Sequence, residues 1–167
     1  MKRLLYLIFL GIFGTILVRT YLVETVYVAS ASMEPTLHTG SNLFLEKLSL
    51  RFSPVKRGDI VVFASPVQSK DLIKRVIALP NETLEIKHKE VYINQQLLNE
   101  PYVQHIRIQE ALVGDNLDQI TVPDGKVFVM GDNRDESGDS RDWTDNATGE
   151  HIYFIPISAI KGKIIRL

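Results

Sequence analysis

The hydrophobic and polar positions divide the chain into two stretches of different character. From Leu4 to Val18 no residue is charged and most side chains are apolar, which is typical of one long helix. After Val28 the apolar residues come in short runs rich in β-branched and aromatic side chains, which is typical of strands. Eight runs are predicted to be strands: 41–48, 58–64, 71–79, 82–87, 89–93, 118–122, 126–130 and 159–167.

Turn residues separate these runs, and no long helical period or internal repeat follows the first stretch. Many short strands between turns predict a mainly β fold, an antiparallel β-sandwich or distorted barrel. Residues 101–117 are predicted to be an irregular surface excursion, and 144–150 a loop tip. The predicted organisation is an N-terminal membrane anchor with a juxtamembrane segment at 1–28, followed by one extracytoplasmic β-rich domain at 29–167.

The N-terminal stretch is predicted to be a retained, single-pass transmembrane helix. Its fifteen uncharged residues would span about 22 Å as a helix, short of a hydrocarbon core of about 30 Å. Snorkelling by Arg19 and burial of residues 20–23 would lengthen the span. Lys2 and Arg3 predict a cytoplasmic N-terminus in the plasma membrane. The alternatives are a signal peptide cleaved after Ala29-Ser30-Ala31 and a buried soluble helix.

Composition narrows the possible chemistry. The chain has 167 residues, a net charge of −1 and no nucleic-acid-binding motif, so no nucleic-acid partner is predicted. It has no cysteine, which excludes thiol catalysis, thiolate metal sites and disulfides. Its four histidines lack ligand spacing, and neither a metal nor an organic cofactor is predicted.

Serine catalysis with a lysine base remains open. The S-x-x-K match at 158–161 lacks its usual companion motifs, so Ser158 is interpreted as a turn residue and Lys161 as surface charge. Ser32 precedes Glu34-Pro35 in "ASASMEPTL", and Lys74 lies in an apolar run whose burial would lower its pKa. These residues also fit ordinary linker polars and a lysine snorkelling at a strand edge.

The stretch "GDNRDESGDSR", 131–141, has no apolar residue, yet it directly follows the predicted strand "KVFVM". A solvated loop, a cation site and a rigid polar network could all have this composition. The calcium-loop interpretation fails on register. Counted from Asp135, the sixth residue is Ser140 where glycine is required, and the twelfth is Asn146 where glutamate is required.

Four short stretches follow one another along the chain: "SASMEPTL" at 30–37, "RGDIVVF" at 57–63, "IKRVIALP" at 73–80 and "GDNRDESGDSR" at 131–141. In this order they resemble the type I signal peptidases, the membrane-anchored Ser/Lys proteases that remove signal peptides from exported proteins. The resemblance implies that Ser32 is the nucleophile and Lys74 the general base. Ser30 would complete the oxyanion hole beside the Ser32 N–H. Ser137 would hydrogen-bond Lys74, and Asp139 and Arg141 would form a supporting ion pair.

The resemblance further implies cleavage of preprotein signal peptides after small residues, as in Ala-x-Ala. The expected lining of the shallow pockets is Val28, Met33, Leu37, Leu72 and Ile73, although all five could simply be core. The expected partners are signal peptides, the lipid bilayer and the export machinery. A non-catalytic β module that binds exported peptides remains an alternative. Pilin-specific, conjugation-specific and mitochondrial inner-membrane peptidases are others.

Three features depart from the family pattern. Ala31 stands where glycine is common, and "LPNE" at 79–82 replaces "LPGD". Asn81 tolerates left-handed backbone angles, so this turn is expected to survive. The stretch "TDNATGEH" at 144–151 is an apparent insertion.

Overall fold

The computed structural model describes residues 2–165 and consists mainly of β-strands. Two helices, α1 (Lys2–Tyr21) and α2 (Ser49–Phe52), are present in the described part of the chain. The strands are β1 (Val23–Tyr27), β2 (Asn42–Glu46), β3 (Ile60–Ala64), β4 (Asp71–Ala78), β5 (Thr83–Lys87), β6 (Glu90–Ile93), β7 (Gln96–Leu97), β8 (Leu117–Thr121), β9 (Lys126–Met130), β10 (Ile155–Pro156) and β11 (Ile160–Ile165).

The strands form two antiparallel sheets, which confirms the predicted mainly β, antiparallel class. The larger sheet has the order β1-β2-β11-β3-β4-β9-β10, and the smaller has the order β7-β6-β5-β8. Each of the eight predicted runs overlaps one observed strand, although β8 begins at Leu117, one residue before the run predicted for it. The sequence did not predict β1, which lies in the stretch interpreted as juxtamembrane and pairs with β2 along its whole length. The short strands β7 and β10 were also missed.

Apolar side chains fill three buried clusters. One cluster joins the two sheets, because Ile77 and Phe128 of the larger sheet pack with Leu84 and Val91 of the smaller. A second lies around Phe63 and Trp143, whose rings meet edge to face at 5.9 Å. The third lies directly beneath the Ser32 segment; it consists of Val28, Met33, Leu37, Leu45, Ile60, Val62 and Ile164. Both strands of the β3–β4 hairpin therefore sit in well-packed surroundings.

The first helix forms where it was predicted, but its apolar side chains from Leu4 to Ile16 are largely exposed. The buried-helix alternative is therefore wrong. Within residues 2–165, no helix is long and apolar enough to cross a membrane. The expected transmembrane helix is accordingly not supported. The uncharged part of α1 would cover only about 22 Å of a hydrocarbon core of about 30 Å.

The turns behave largely as the residue types predict. Asn81 adopts a left-handed backbone with φ of 66°, so "LPNE" preserves the turn between β4 and β5. Residues 98–116 contain no named helix or strand, and an isolated β-bridge between Gln104 and Asn133 is one of their contacts with the 131–141 stretch. Thr144 and His151 form another isolated bridge, which makes the apparent insertion a small hairpin.

Candidate active site

Ser32 and Lys74 meet beside β4, an interior strand of the larger sheet. Lys74 Nζ donates a hydrogen bond to Ser32 Oγ at 2.7 Å, and both side chains are buried. Lys74 belongs to β4, where it pairs with Val61 of β3, so its backbone is held on a central hairpin. Ser32 lies in a single 3-10 turn, Ala31–Met33, between β1 and β2. The structure thus brings together the two residues that the resemblance implicated in bond cleavage.

The Lys74 ammonium lies in surroundings that disfavour its charge. Burial lowers the pKa of Lys74 to about 8, because removal from water destabilises the cation. The Asp139 carboxylate opposes this shift, whereas the positive charges of Arg141 and Lys70 add to it. At pH 7 about one molecule in ten would carry a neutral Lys74, against about one in 2,500 for an ordinary lysine. A neutral amine can accept a proton from the serine hydroxyl.

The backbone around Ser32 is fixed from two sides. The Ser32 carbonyl accepts a hydrogen bond from Asn133 N at 3.1 Å, and the Met33 carbonyl accepts one from Leu37 N at 2.9 Å. Gly131 packs so closely that an added Cβ would overlap the Ser32 carbonyl oxygen and Ser137 Oγ. Only glycine can therefore stand at position 131 without displacing the serine segment.

Ser30 lies two residues before Ser32 and shares its opening to solvent. Its hydroxyl donates to Ser32 Oγ at 3.3 Å. The Ser32 N–H lies in the first turn of a helical segment, where backbone N–H groups have no partner within the helix. An exposed hydroxyl and a backbone N–H at this position can together hold a negatively charged oxygen.

The 131–141 stretch is a buried polar network, so the solvated-loop interpretation is wrong. Asp139 is fully buried, and its carboxylate accepts hydrogen bonds from Arg141 Nε at 2.8 Å and from Gly131 N at 3.0 Å. Burial alone would raise the pKa of Asp139. The Arg141 guanidinium and the Gly131 N–H nevertheless hold that pKa below its ordinary value. The expected Asp139–Arg141 ion pair is present.

Ser137 does not contact Lys74 in the expected way. Its hydroxyl donates to Asp139 Oδ2 at 2.7 Å, and within residues 2–165 the one side-chain hydrogen bond of Lys74 goes to Ser32. Ser137 donates to Asp139 because an ionised, buried carboxylate is a strong acceptor, and hydrogen bonds to charged groups are stronger than those between neutral groups. Ser137 thus holds the Asp139 carboxylate, whose charge in turn acts on Lys74.

Further charge pairs attach the network to the rest of the protein. Asp132 receives two hydrogen bonds from Arg75, at 2.8 and 2.6 Å, and Arg75 points away from Lys74 as strand alternation requires. Arg134 pairs with Glu100 at 2.6 Å. Asp135 accepts hydrogen bonds from the backbone N–H groups of Ile106 and Arg107, each at 2.7 Å. The 131–141 stretch is therefore braced by β4 and by the irregular excursion.

Two adjoining pockets open on either side of the Ser32–Lys74 pair. The first, of about 250 Å³, is bordered by β1 and β4 and includes four of the five predicted lining residues: Val28, Met33, Leu72 and Ile73. Leu37, the fifth, is buried beneath Ser32 in the core and does not line either pocket. The second pocket, of about 270 Å³, is more polar; its lining includes Ser65, Gln68, Glu136, Gly138 and Trp143.

Sequence reasoning missed several residues at this site. Val26, Tyr27 and Val62 line the first pocket, and Lys70 lines both. Alternation along β1 could have identified Val26 had that strand been predicted. Gly131 could have been suspected from its place at the end of a buried strand. Ser158 and Lys161, by contrast, line neither pocket. Lys161 is a surface charge, as expected, and pairs at 2.7 Å with Asp71, which itself lines the first pocket.

Three comparisons with known proteins bear on this site. The family model described as "Signal peptidase, peptidase S26" matches residues 1–166. The chain is 42% identical over 150 residues to a probable signal peptidase I-1 of Synechocystis, covering 85% of this chain and 74% of that relative. It is 39% identical over 138 residues to a signal peptidase I of Bacillus licheniformis, covering 80% and 74%. The crystal structure of a signal peptidase I from Enterococcus faecalis aligns with a TM-score of 0.51 and 30% identity, covering 68% of this chain and 98% of that one.

Proposed function

The chain belongs to the signal peptidase family, peptidase S26, and on that premise we propose that it cleaves N-terminal signal peptides from exported preproteins with a Ser32–Lys74 dyad. The observation that carries this proposal is the 2.7 Å contact between Ser32 Oγ and a buried lysine amine of lowered pKa. A lysine kept neutral by desolvation can serve as the base that activates a serine.

In the proposed reaction, neutral Lys74 accepts the Ser32 proton while Ser32 Oγ attacks the carbonyl carbon of the scissile peptide bond. The negative charge on the carbonyl oxygen is held by the Ser32 N–H and the Ser30 hydroxyl. Protonated Lys74 then gives its proton to the leaving amine, which frees the mature protein and leaves an acyl-enzyme. Water, activated by neutral Lys74, hydrolyses that ester and releases the signal peptide.

Substrate choice is proposed to follow from the first pocket. Val28 and Met33 form part of its wall and are themselves packed in the core. The wall therefore cannot move to accommodate a bulky side chain. Small residues at positions −1 and −3, as in Ala-x-Ala, would fit such a pocket. Leu37 is left out of the proposed substrate contacts and acts instead as packing beneath Met33.

The helix α1 is proposed to attach the enzyme to a lipid bilayer, with the β domain on the extracytoplasmic face. Its exposed leucine, isoleucine and phenylalanine side chains support this, because transfer of apolar surface out of water is favourable. Flotation with lipid vesicles tests the proposal. The wild type should float with the vesicles, and a Leu7→Glu/Ile12→Glu variant should remain in the lower fraction. Equal flotation of both would contradict the role of α1.

Cleavage of a preprotein with an Ala-x-Ala site tests the catalytic proposal, with product masses locating the cut. Wild type should cut after the −1 alanine, whereas Ser32→Ala and Lys74→Ala should be inactive but folded by circular dichroism. Substantial activity in Lys74→Ala would remove Lys74 as the base. A wild type that binds the preprotein without cutting it would favour a peptide-binding module.

A further inference from the structure

Lys70 is positioned at the junction of the two pockets. It ends the six-residue turn that joins β3 to β4, and its carbonyl accepts a hydrogen bond from Ser65 N at 2.8 Å. Ser65 Oγ in turn accepts from Gln68 N at 3.1 Å, so this turn is tied at both ends. The side chain of Lys70 is exposed and lines both the first and the second pocket.

The acidic residues around Lys70 already have cationic partners. Asp71, the next residue, receives hydrogen bonds from Lys161 Nζ at 2.8 and 2.7 Å. Glu136, which also lines the second pocket, pairs with Arg107 at 2.7 Å. Within residues 2–165, Lys70 forms no ion pair and no side-chain hydrogen bond of its own. Lys70 is therefore an accessible positive charge, at the junction of the two pockets, that lacks a counterion within the described chain.

The proposed function places the small residues before the cut in the first pocket. The second pocket, which shares Ser32 and Lys74 with the first, would then receive the residues after the cut. Lys70 lines this second pocket together with polar Ser65 and Gln68. A carboxylate there would gain Coulomb energy from Lys70 without displacing an existing pair.

On the basis of the proposed function, we infer that Lys70 is a specificity-determining residue that favours preproteins with an acidic side chain at the first or second position after the cut. The ion pair between Lys70 and the substrate carboxylate would be partly solvated, which limits its strength. We expect a preference of about three-fold in kcat/KM for Asp over Asn at these positions. A preference of this size corresponds to the interaction energies that exposed ion pairs typically have. The preference should vanish in about 1 M salt, where the Debye length is about 3 Å.

The test uses the full chain and three Ala-x-Ala peptides that differ only in carrying Asp, Asn or Lys after the cut. Wild type should cut the Asp peptide best and the Lys peptide worst. Lys70→Gln should cut all three with nearly equal kcat/KM, and Lys70→Glu should prefer the Lys peptide. Lys126→Gln, a change of the same type at an exposed position on β9, should keep the wild-type order. Ratios between peptides, rather than absolute rates, are the readout, because Lys70 also acts on Lys74.

The outcomes separate this inference from the proposed function. If wild type cuts all three peptides equally, or if Lys70→Gln keeps the wild-type order, Lys70 does not select substrates. Neither result would contradict the proposed peptidase function. If wild type cuts none of the peptides, the proposed function fails, and the inference fails with it. Reversal of the preference by Lys70→Glu would be specific to charge, since a merely structural role of Lys70 would lower all three rates together.

Discussion

Lys74 Nζ lies 2.7 Å from Ser32 Oγ, although 42 positions separate the two residues in the chain. The contact places an amine whose pKa is about 8 against the hydroxyl that it is proposed to activate. Burial of Lys74 therefore lowers the pKa of the proposed base and also lowers the free energy of unfolding. Both consequences can be measured.

The pH profile of cleavage should follow the titration of Lys74. With a pKa of about 8, the neutral fraction rises from about one tenth at pH 7 to about nine tenths at pH 9. We expect kcat/KM for an uncharged Ala-x-Ala peptide to rise through pH 8 and level off above it. Steady-state kinetics between pH 6 and pH 10 test this. A profile that is flat across this range would show that a neutral Lys74 is not required.

Lys74→Met should be inactive but more stable than wild type at pH 7. The native state releases the Lys74 proton near pH 8 and the unfolded chain near 10.5, so charge burial costs about 3 kcal/mol below pH 8. Between these values the unfolded state binds more protons, so wild-type stability recovers as pH rises. The advantage of Lys74→Met in urea unfolding should therefore shrink from pH 7 to pH 10.

Lys126→Met provides the matched control, because Lys126 is exposed on β9. Its effect on the free energy of unfolding should stay within about 0.5 kcal/mol. If Lys74→Met instead destabilises the protein at pH 7, the loss of its packing and of the Ser32 hydrogen bond outweighs the cost of its charge.

Asp139→Asn should be strongly destabilising, because it leaves the buried Arg141 guanidinium without its counterion. Loss of one partner of a buried pair typically costs about 3–5 kcal/mol. Asp71→Asn removes one partner of the exposed Lys161 pair and should cost less than about 1 kcal/mol. Denaturant unfolding of both variants makes the comparison. Equal losses would mean that the 131–141 network is solvated in solution.

Ser30→Ala should lower kcat by about 100-fold or more with little change in KM, as removal of one oxyanion-hole donor does in other enzymes. Ser30→Thr keeps a hydroxyl at the same place and should recover much of the rate. Single-turnover kinetics with saturating enzyme isolates the chemical step. If both variants cut at the wild-type rate, the Ser30 hydroxyl takes no part in the reaction.

Gly131→Ala should impair both folding and cleavage, since the new Cβ would overlap the Ser32 carbonyl oxygen and Ser137 Oγ. Movement of the Ser32 segment would also lengthen the contact with Lys74. Gly138→Ala is the control for stability, because a Cβ at that position would meet no atom within 4 Å. Thermal unfolding and peptide cleavage measure the two effects. A Gly131→Ala protein as stable and active as wild type would show that the backbone relaxes freely there.

The architecture was readable from the sequence where apolar, β-branched runs were continuous. The runs that became β3, β4 and β9 are of this kind, and most of their residues are buried. Edge strands were harder to predict. In β1, Glu24 and Thr25 interrupt the apolar pattern, and pairing with β2 rather than local preference makes this segment a strand.

Three properties follow from the amino-acid sequence alone: the residue types available for chemistry, the strand-rich character of the chain and, through four short motifs, the family resemblance. The three-dimensional arrangement was needed to show which polar residues are buried and what each one contacts. It buries most of 131–141 despite its composition, directs Ser137 to Asp139 and leaves Lys70 without an ion pair among the residues that the structure describes. This is because the pattern of apolar and polar residues indicates only which side chains of one segment face the core and which face water. Distances between segments, and the solvation that sets a pKa, depend on how the strands are ordered in the sheet.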